Sequence, residues 1–563
     1  MIDRFIPIGR DTLIRKMKTL DKKFWVIIAI LTVIGAGLRI LCCFWGFPYQ
    51  LHPDENVIIK NAIDMLSRHS WEAYIYNRPD QLEIKGNAIL FSLFSWVKYR
   101  EPAYVAFEQH DTAFYMLARF FTVVFGTAMI PMTALLVGRI FGEDKIQKKY
   151  IQLFAATIIT FSSIYVQHSA YATPDIPLTF LVMLFVYCCS FYVERGEHKW
   201  LYIASVLMGM CVSIKYPAAI LGIYIAVIVT TQAFKKKDFK EIFRMGFICI
   251  CIVLITLFII SPNLFTDFGS VVEALTREAR NSHVGADGLD FWGNLKYYFD
   301  TISNSLGILS KGFFVLGMIY LVKHRRHQHM ALSVSAIFWV CLSCLGLHWL
   351  RWGIPMYISY IIVVALGMVW LMKGVLVIPN RYCKHAAGIC VVVVVFISLC
   401  SILLSGLAIT KYSLLPDTRV TSMQYCMENG ISPDNSIYEG YTPLAPDYGP
   451  GGLRDGATLL PTFTMDGERI VLSEEYNDKE YLVYSSSFES RYINSAESYP
   501  EQAAFYKAID ANFELLYKLE GNNLGAGSPY EINNIVNNIK FLTKGKMITG
   551  NTIYIYDISK NTL

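Results

Sequence analysis

Charge is scarce in this chain. Asp, Glu, Lys and Arg make up 17% of its 563 residues, against roughly 25% in an ordinary soluble domain. With 54% hydrophobic residues and 35 each of Phe and Tyr, the composition is that of a polytopic membrane protein. Nucleotide cradles are missing too: there is no P-loop, no GxGxxG and no Asp-x-Asp, so the sequence carries no sign of a nucleotide-phosphate site. No Asn-x-Ser/Thr sequon occurs despite many asparagines, which favours a bacterial cytoplasmic membrane over an endoplasmic-reticulum setting. The polar C-terminal part has a single cysteine, Cys426, which excludes a disulfide within it. The other cysteines lie in or beside apolar runs; Cys341 and Cys344 have CxxC spacing but sit in an apolar helix without partner ligands, where packing is the better reading. The net charge of +5 is no nucleic-acid footprint, because the bases cluster between apolar runs.

Those runs predict about eleven membrane spans. The first, residues 24–44, follows Arg15, Lys16, Lys18, Lys22 and Lys23. It is too long for a cleaved signal peptide and lacks a small-x-small site, so a retained anchor is expected. Further spans are expected near 113–138, 151–168, 176–193, 200–213, 217–233, 245–261, 307–322, 331–347, 354–372 and 387–409. Alternate connections are basic: Arg139 with Lys145, Lys148 and Lys149; Arg195 with Lys199; Lys235 to Lys237 with Lys240 and Arg244; Lys323 with Arg325 and Arg326; Arg381 with Lys384. The positive-inside rule makes those connections and the N-terminus cytoplasmic. The opposite face then holds the long loops 47–112 and 262–306 and everything from Lys411 onward.

Just after the first span, on that outer face, comes Leu51-His52-Pro53-Asp54-Glu55. A carboxylate at the water end of a bundle is cheap to ionise and still able to address a lipid-borne substrate. The plainer reading is an acid at the start of a helix, favoured by its dipole. Asp175 is a third outer acid. Lys215 and Arg351 are isolated bases in turns otherwise depleted of them; anion binding is the functional reading, and an interfacial snorkelling side chain the plain one.

Residues 55–69 place Val57, Ile58, Ala62, Met65 and Leu66 at helical spacing, and 86–97 forms a second apolar segment too short to span. Both suit helices lying at the membrane surface. The second loop carries Arg277 to Gly285, including His283, then Trp292, Tyr297 and Tyr298; it reads as a substrate-facing loop or as structural capping of the bundle. From residue 411 a small extracytoplasmic α/β domain is expected, with strands at 480–484, 514–517 and 552–556 and a helix at 500–512. The domain division is thus 1–410 and 411–563.

One reaction uses an acid at the outer membrane face beside isolated cations. It is the transfer of a sugar from a polyprenyl phosphate, in which the carboxylate deprotonates the acceptor hydroxyl and Arg and Lys stabilise the leaving phosphate. Several patches, in order and on one face, resemble the GT-C membrane glycosyltransferases, specifically the protein-O-mannosyltransferase and aminoarabinose-transferase-like group (family 39-like): His52-Pro53-Asp54-Glu55, Ala118-Arg119-Phe120, Tyr171 to Leu178 around Asp175, Ile214-Lys215-Tyr216-Pro217, and Trp349-Leu350-Arg351-Trp352-Gly353-Ile354-Pro355-Met356-Tyr357. The resemblance covers about residues 20–410.

It implies a GT-C bundle and an inverting transfer with Asp54 as base and Glu55 positioning the acceptor or assisting. It further implies that Asp175 orients acceptor or sugar, and that Lys215 and Arg351 meet the lipid phosphate. Arg39 and Arg119 either join that electropositive pocket or pair with an acid, and His52 and His283 are candidates on the acceptor side. The implied partners are a polyprenyl-phosphate-linked hexose or pentose, a lipid, glycan or protein acceptor, and membrane lipids, with no nucleic acid. No cofactor or metal ligand set is indicated, and metal dependence stays open. The Trp-Trp-Asp signature of oligosaccharyltransferases is absent, which argues against transfer of whole oligosaccharides to asparagine. The rival reading is a transporter or flippase of a lipid-linked glycan, although such proteins more often carry their charged site at the bilayer midplane.

Overall fold

The computed structural model of the protein describes residues 10–141, 145–278, 284, 289–445, 463–476, 478–524 and 531–559. The chain opens with α1 (Arg10–Cys42), which ends where the apolar run ends, and then forms two helices in the first loop, α2 (Pro53–Ser67) and α3 (Gln81–Lys98). The bundle continues with α4 (Ala103–Ile140), α5 (Lys145–Phe161), α6 (Ser163–His168), α7 (Asp175–Arg195), α8 (His198–Ile214), α9 (Leu221–Lys236) and α10 (Lys240–Ile260). The second loop holds α11 (Asn263–Thr266), α12 (Phe268–Glu278) and α13 (Phe291–Ser305). The bundle closes with α14 (Leu309–Lys323), α15 (Ser333–Ser343), α16 (Ile354–Leu376) and α17 (Arg381–Leu414).

All eleven expected apolar runs are helical, but they are not equal. Among the described residues, seven helices are long and apolar enough to cross a membrane, or eight if the pair α13 and α14, bent by 113°, counts as one. The runs at 151–168, 200–213 and 331–347 fall short. The first is broken at Ser162 between α5 and α6, while α8 has 17 residues and α15 only 11, fewer than the ~20 a straight span needs.

Lipid-facing and central helices are distinct. On α10, Phe243, Phe247, Ile250, Leu254 and Phe258 are exposed, as hydrocarbon-facing side chains must be, whereas α16 is buried along most of its length. Glycine permits its closest contact: a Cβ on Gly367 would lie 1.9 Å from the Phe313 carbonyl oxygen of α14, and one on Gly317 2.2 Å from that of Val363. Small residues allow such backbone approach where no hydrophobic drive separates helix from lipid.

The polar C-terminal part follows directly. α17 runs unbroken to Leu414, a few residues past the expected change at 410/411. There follow α18 (Thr418–Glu428), β1 (Ser436–Tyr438), the hairpin β2 (Phe463–Asp466) and β3 (Arg469–Leu472), β4 (Tyr481–Ser485), α19 (Ser486–Asn494), α20 (Pro500–Asn512), β5 (Glu514–Leu519), α21 (Ile535–Thr543) and β6 (Ile553–Asp557). The main sheet has the order β1-β4-β6-β5, with β1 parallel to β4 and the other pairs antiparallel. Ala503, Phe505, Tyr506 and Ile509 make one buried face of α20, which joins Ile437, Leu482, Tyr484 and Tyr556 in a common core.

Candidate functional site

The two neighbouring acids of the first loop part company because α2 begins between them and the preceding turn. His52 caps that helix, its Nδ1 accepting the Asp54 N–H at 3.3 Å, and Pro53 occupies the first helical turn. Successive helical residues diverge by about 100°, so Asp54 and Glu55 point to different neighbourhoods.

Glu55 turns inward and is fully buried. Its two carboxylate oxygens accept from Arg119 Nε and NH2, both at 2.8 Å, and Oε1 also accepts the Ala172 N–H at 2.9 Å. Arg119 spends its remaining nitrogen on the carbonyls of Cys43 at 2.6 Å and Trp45 at 2.9 Å. This bidentate pair ties α2, α4, the end of the first span and the loop before α7 together. In this arrangement neither member presents a free edge to a ligand, and for Arg119 the pairing is the ion-pair alternative, with Glu55 as its partner.

Arg39 is also structural. It is fully buried and donates to Ser169 Oγ at 3.2 Å and to the carbonyls of Gly35 at 3.0 Å, Ile159 at 3.0 Å and Thr160 at 3.4 Å. The break at Ser162 strips the last carbonyls of α5 of helical partners, and a guanidinium satisfies two of them. Among the described residues it meets no acid, and its side chain is closed off from the surface.

Asp54 is different. Its side chain is 17% exposed, and it sits between two guanidiniums: Arg78 at 3.0 Å on one oxygen and Arg351 on the other. Arg351 comes from the 3-10 turn Leu350–Gly353 that starts α16, with Trp349 beneath its guanidinium at 5.8 Å. Arg78 also approaches Asp80, at 2.6 Å. Asp175, in the first turn of α7, is only 2% exposed and pairs with Lys215, which follows α8 in extended conformation. Lys215 is thus engaged by an acid in this arrangement, and the other oxygen of Asp175 has no hydrogen-bond partner.

Two further acids line this neighbourhood. Asp80 and Glu83, at the start of α3, are buried; Asp80 keeps its ion pair with Arg78, whereas neither oxygen of Glu83 has a hydrogen-bond partner among the described residues. Burial pushes Glu83 well above the usual carboxylate range, with Asp80 and Asp175 adding repulsion, and it raises Asp80 against the pull of Arg78 and Lys215. His52 is held down to about 4 by burial, so it is a neutral cap at neutral pH; its ring lies 4.5 Å from that of Tyr171. His283 lies outside the described residues. Among the described residues, no group of three His, Cys, Asp or Glu is placed to hold a metal ion.

Sequence reasoning passed over Arg78, Asp80, Glu83 and Arg419. Arg78 had a usable signal: like Lys215 and Arg351, it is a base shortly before a proline in an outer connection, although its loop carries other bases. Arg419 arrives from the C-terminal part, paired with Asp417 at 2.8 and 3.0 Å, and donates to the Leu51 carbonyl at 3.2 Å while stacking over Trp45 at 5.5 Å. It docks the C-terminal part beside His52.

A family model described as dolichyl-phosphate-mannose-protein mannosyltransferase matches residues 97–272. No curated protein matches the chain by sequence. Among solved structures, the apo oligosaccharyltransferase of Archaeoglobus fulgidus aligns with a TM-score of 0.53 at 12% identity, over 88% of this chain and 73% of that one. The same archaeon's AglB in complex with an inhibitory peptide and a dolichol-phosphate gives 0.50 at 12% identity, over 88% and 73%. Apo ArnT from Cupriavidus metallidurans gives 0.50 at 12% identity, over 85% of this chain and 95% of that one. The chain is a multi-pass membrane protein that shares its fold with these proteins, and its residues 97–272 are similar to the protein-mannosyltransferase family.

Proposed function

Starting from a GT-C membrane fold with a mannosyltransferase-like segment, we propose that this chain is a glycosyltransferase. It moves a hexose or pentose from a polyprenyl-phosphate donor to a hydroxyl of a glycolipid, cell-envelope glycan or protein at the outer membrane face. The observation that carries this reading is Asp54, a partly exposed carboxylate gripped by Arg78 and Arg351 among acids that are buried. AglB, with its bound dolichol-phosphate, shares the fold, which supports a lipid-phosphate donor here.

In the reaction, Asp54 accepts the proton of the acceptor hydroxyl. The new oxygen–carbon bond forms at the anomeric centre as the bond to the phosphate oxygen breaks, with inversion, and the electron pair leaves on the phosphate. That group gains a negative charge, and Arg351 is the cation placed to meet it. Arg351 therefore has two anionic partners: Asp54 while the site is empty, the phosphate when donor is bound. Lys215 stays with Asp175 and sets the shape of the pocket. The C-terminal region from 411 forms a second, extracytoplasmic domain that braces the first loop through Arg419.

Incubating the purified protein with a panel of polyprenyl-phosphate sugars tests this reading. Release of polyprenyl phosphate that depends on one sugar and on an acceptor is the expected result. Movement of intact lipid-linked sugar across a sealed vesicle, without release, would replace it with the transporter reading.

A further inference from the structure

Roughly 33 Å along α4 from Arg119, counted as 22 residues at about 1.5 Å each, the helix ends at a cavity of about 280 Å³. Phe141 from the end of α4, Gln147, Lys148 and Ile151 from α5, Tyr320 from α14, and Arg326 and His329 beyond it line this space. It lies one hydrocarbon thickness from the candidate site, in the basic connections between helices.

The chemistry of the lining is one-sided. Lys148 and Arg326 bring positive charge, and no carboxylate is among the described lining residues. Lys148 is half-buried, has no ion pair among the described residues, and stands in the first turn of α5, where the helix dipole adds positive potential. Gln147 is held in place by Lys373, whose Nζ donates to its Oε1 at 2.7 Å. His329 packs its ring 5.4 Å from that of Phe141, and its Nδ1 is buried without a hydrogen-bond partner. Burial, with Arg326 and His324 close by, holds that histidine down to about 4. A neutral imidazole in a field of cations offers an N–H to an anion. Phe141, Ile151 and Tyr320 supply apolar walls.

We propose that this cavity binds a phosphate-bearing anion, the headgroup of an anionic phospholipid or a free phosphate, between Lys148, Arg326 and His329. Basic pockets between membrane helices on the inner face take such headgroups. The volume is below the ~300–1,000 Å³ of drug-sized ligand pockets, so it suits a headgroup phosphate and not a whole glycan. The site is independent of the transfer chemistry at the other face.

The test uses the full-length protein in phosphatidylcholine nanodiscs, titrated with fluorescent phosphatidylglycerol, alongside a separate arm with inorganic phosphate alone. Saturable phosphatidylglycerol binding should weaken at least about tenfold in Lys148→Ala/His329→Ala, since each lost hydrogen bond to a charged group removes on the order of a factor of ten. Lys148→Arg should keep most of the affinity, which separates loss of charge from misfolding; thermal unfolding of each variant provides the fold control. If inorganic phosphate binds and competes with the same variant dependence, the proposal stands with a soluble anion as occupant. Equal binding of both probes by wild type and a folded double variant, or no saturable binding of either, overturns it.

Discussion

Replacing Glu55 with Gln would keep its shape and strip its charge, and the consequence can be worked out from the pair it forms with Arg119. The Gln carbonyl oxygen can still accept from Arg119 Nε and the Ala172 N–H, now at 2.8 and 2.9 Å. Its amide NH2 then faces Arg119 NH2, where a carboxylate oxygen now sits at 2.8 Å, so a donor meets a donor and the guanidinium loses its counter-charge. Removing one partner of a buried pair costs about 3–5 kcal/mol. Glu55→Gln should therefore unfold at a clearly lower temperature in detergent, followed by size exclusion and tryptophan fluorescence. The double variant Glu55→Gln/Arg119→Met should recover much of the loss, because it removes the stranded charge, and a double-mutant cycle reads that coupling directly. If Glu55→Gln unfolds with the wild type yet has lost turnover, Glu55 acts on substrate and its assignment to the scaffold is refuted.

Other expectations follow from the same geometry. Arg351→Ala should weaken donor binding and slow transfer by about 1.5–3 kcal/mol, the scale of a hydrogen bond to a charged group; Arg351→Lys should recover only part, since an ammonium cannot match the planar fork, and donor titration with single-turnover rates decides. Lys215→Met should destabilise the fold by leaving Asp175 buried and alone, with Asp175→Asn/Lys215→Met regaining stability in the same thermal assay. Glu439 is buried, its carboxyl raised to about 8 by desolvation. A raised folded value means stability present below about 4.5 and lost as pH climbs to about 8, at up to about 1.36 kcal/mol per pH unit; chemical unfolding of the C-terminal part should show that slope, and Glu439→Gln should flatten it. With the exposed cysteines Cys344, Cys383 and Cys390 replaced, a cysteine at Trp292 should react with an impermeant thiol reagent from outside and one at Lys236 should not; the reverse pattern would invert the topology.

What was legible in the sequence was whatever rests on local pattern. Apolar runs announced the helices, and the short runs of β-branched, aromatic and other apolar residues at 480–484, 514–517 and 552–556 announced β4, β5 and β6. The hairpin of β2 and β3 was missed because its strands have four residues each, too few for a period to register. Hydropathy reports composition and not helix length, so the sequence did not show that the runs carried by α5, α8 and α15 are shorter helices than the rest. At the site, the charged residues could be found but not paired. Whether Arg119 faces a phosphate or Glu55 depends on the rotation of α4 against α2, and whether Arg39 is a ligand or a cap depends on a helix break that only the fold supplies. Pairing is a tertiary property, so the sequence could name the acids and bases of the pocket but not separate the scaffold from the chemistry.

The most direct measurement takes Asp54→Asn and follows donor affinity and single-turnover transfer on the same preparation. Asn keeps size and one acceptor for Arg78 or Arg351 but cannot take a proton. Donor binding should hold, or tighten as Arg351 is released from sharing, while transfer falls by about 10²–10⁴-fold, the usual contribution of a general base. Near-normal transfer by a folded Asp54→Asn protein would contradict the role of Asp54, and with it the reading of this pocket as the place where the sugar changes hands.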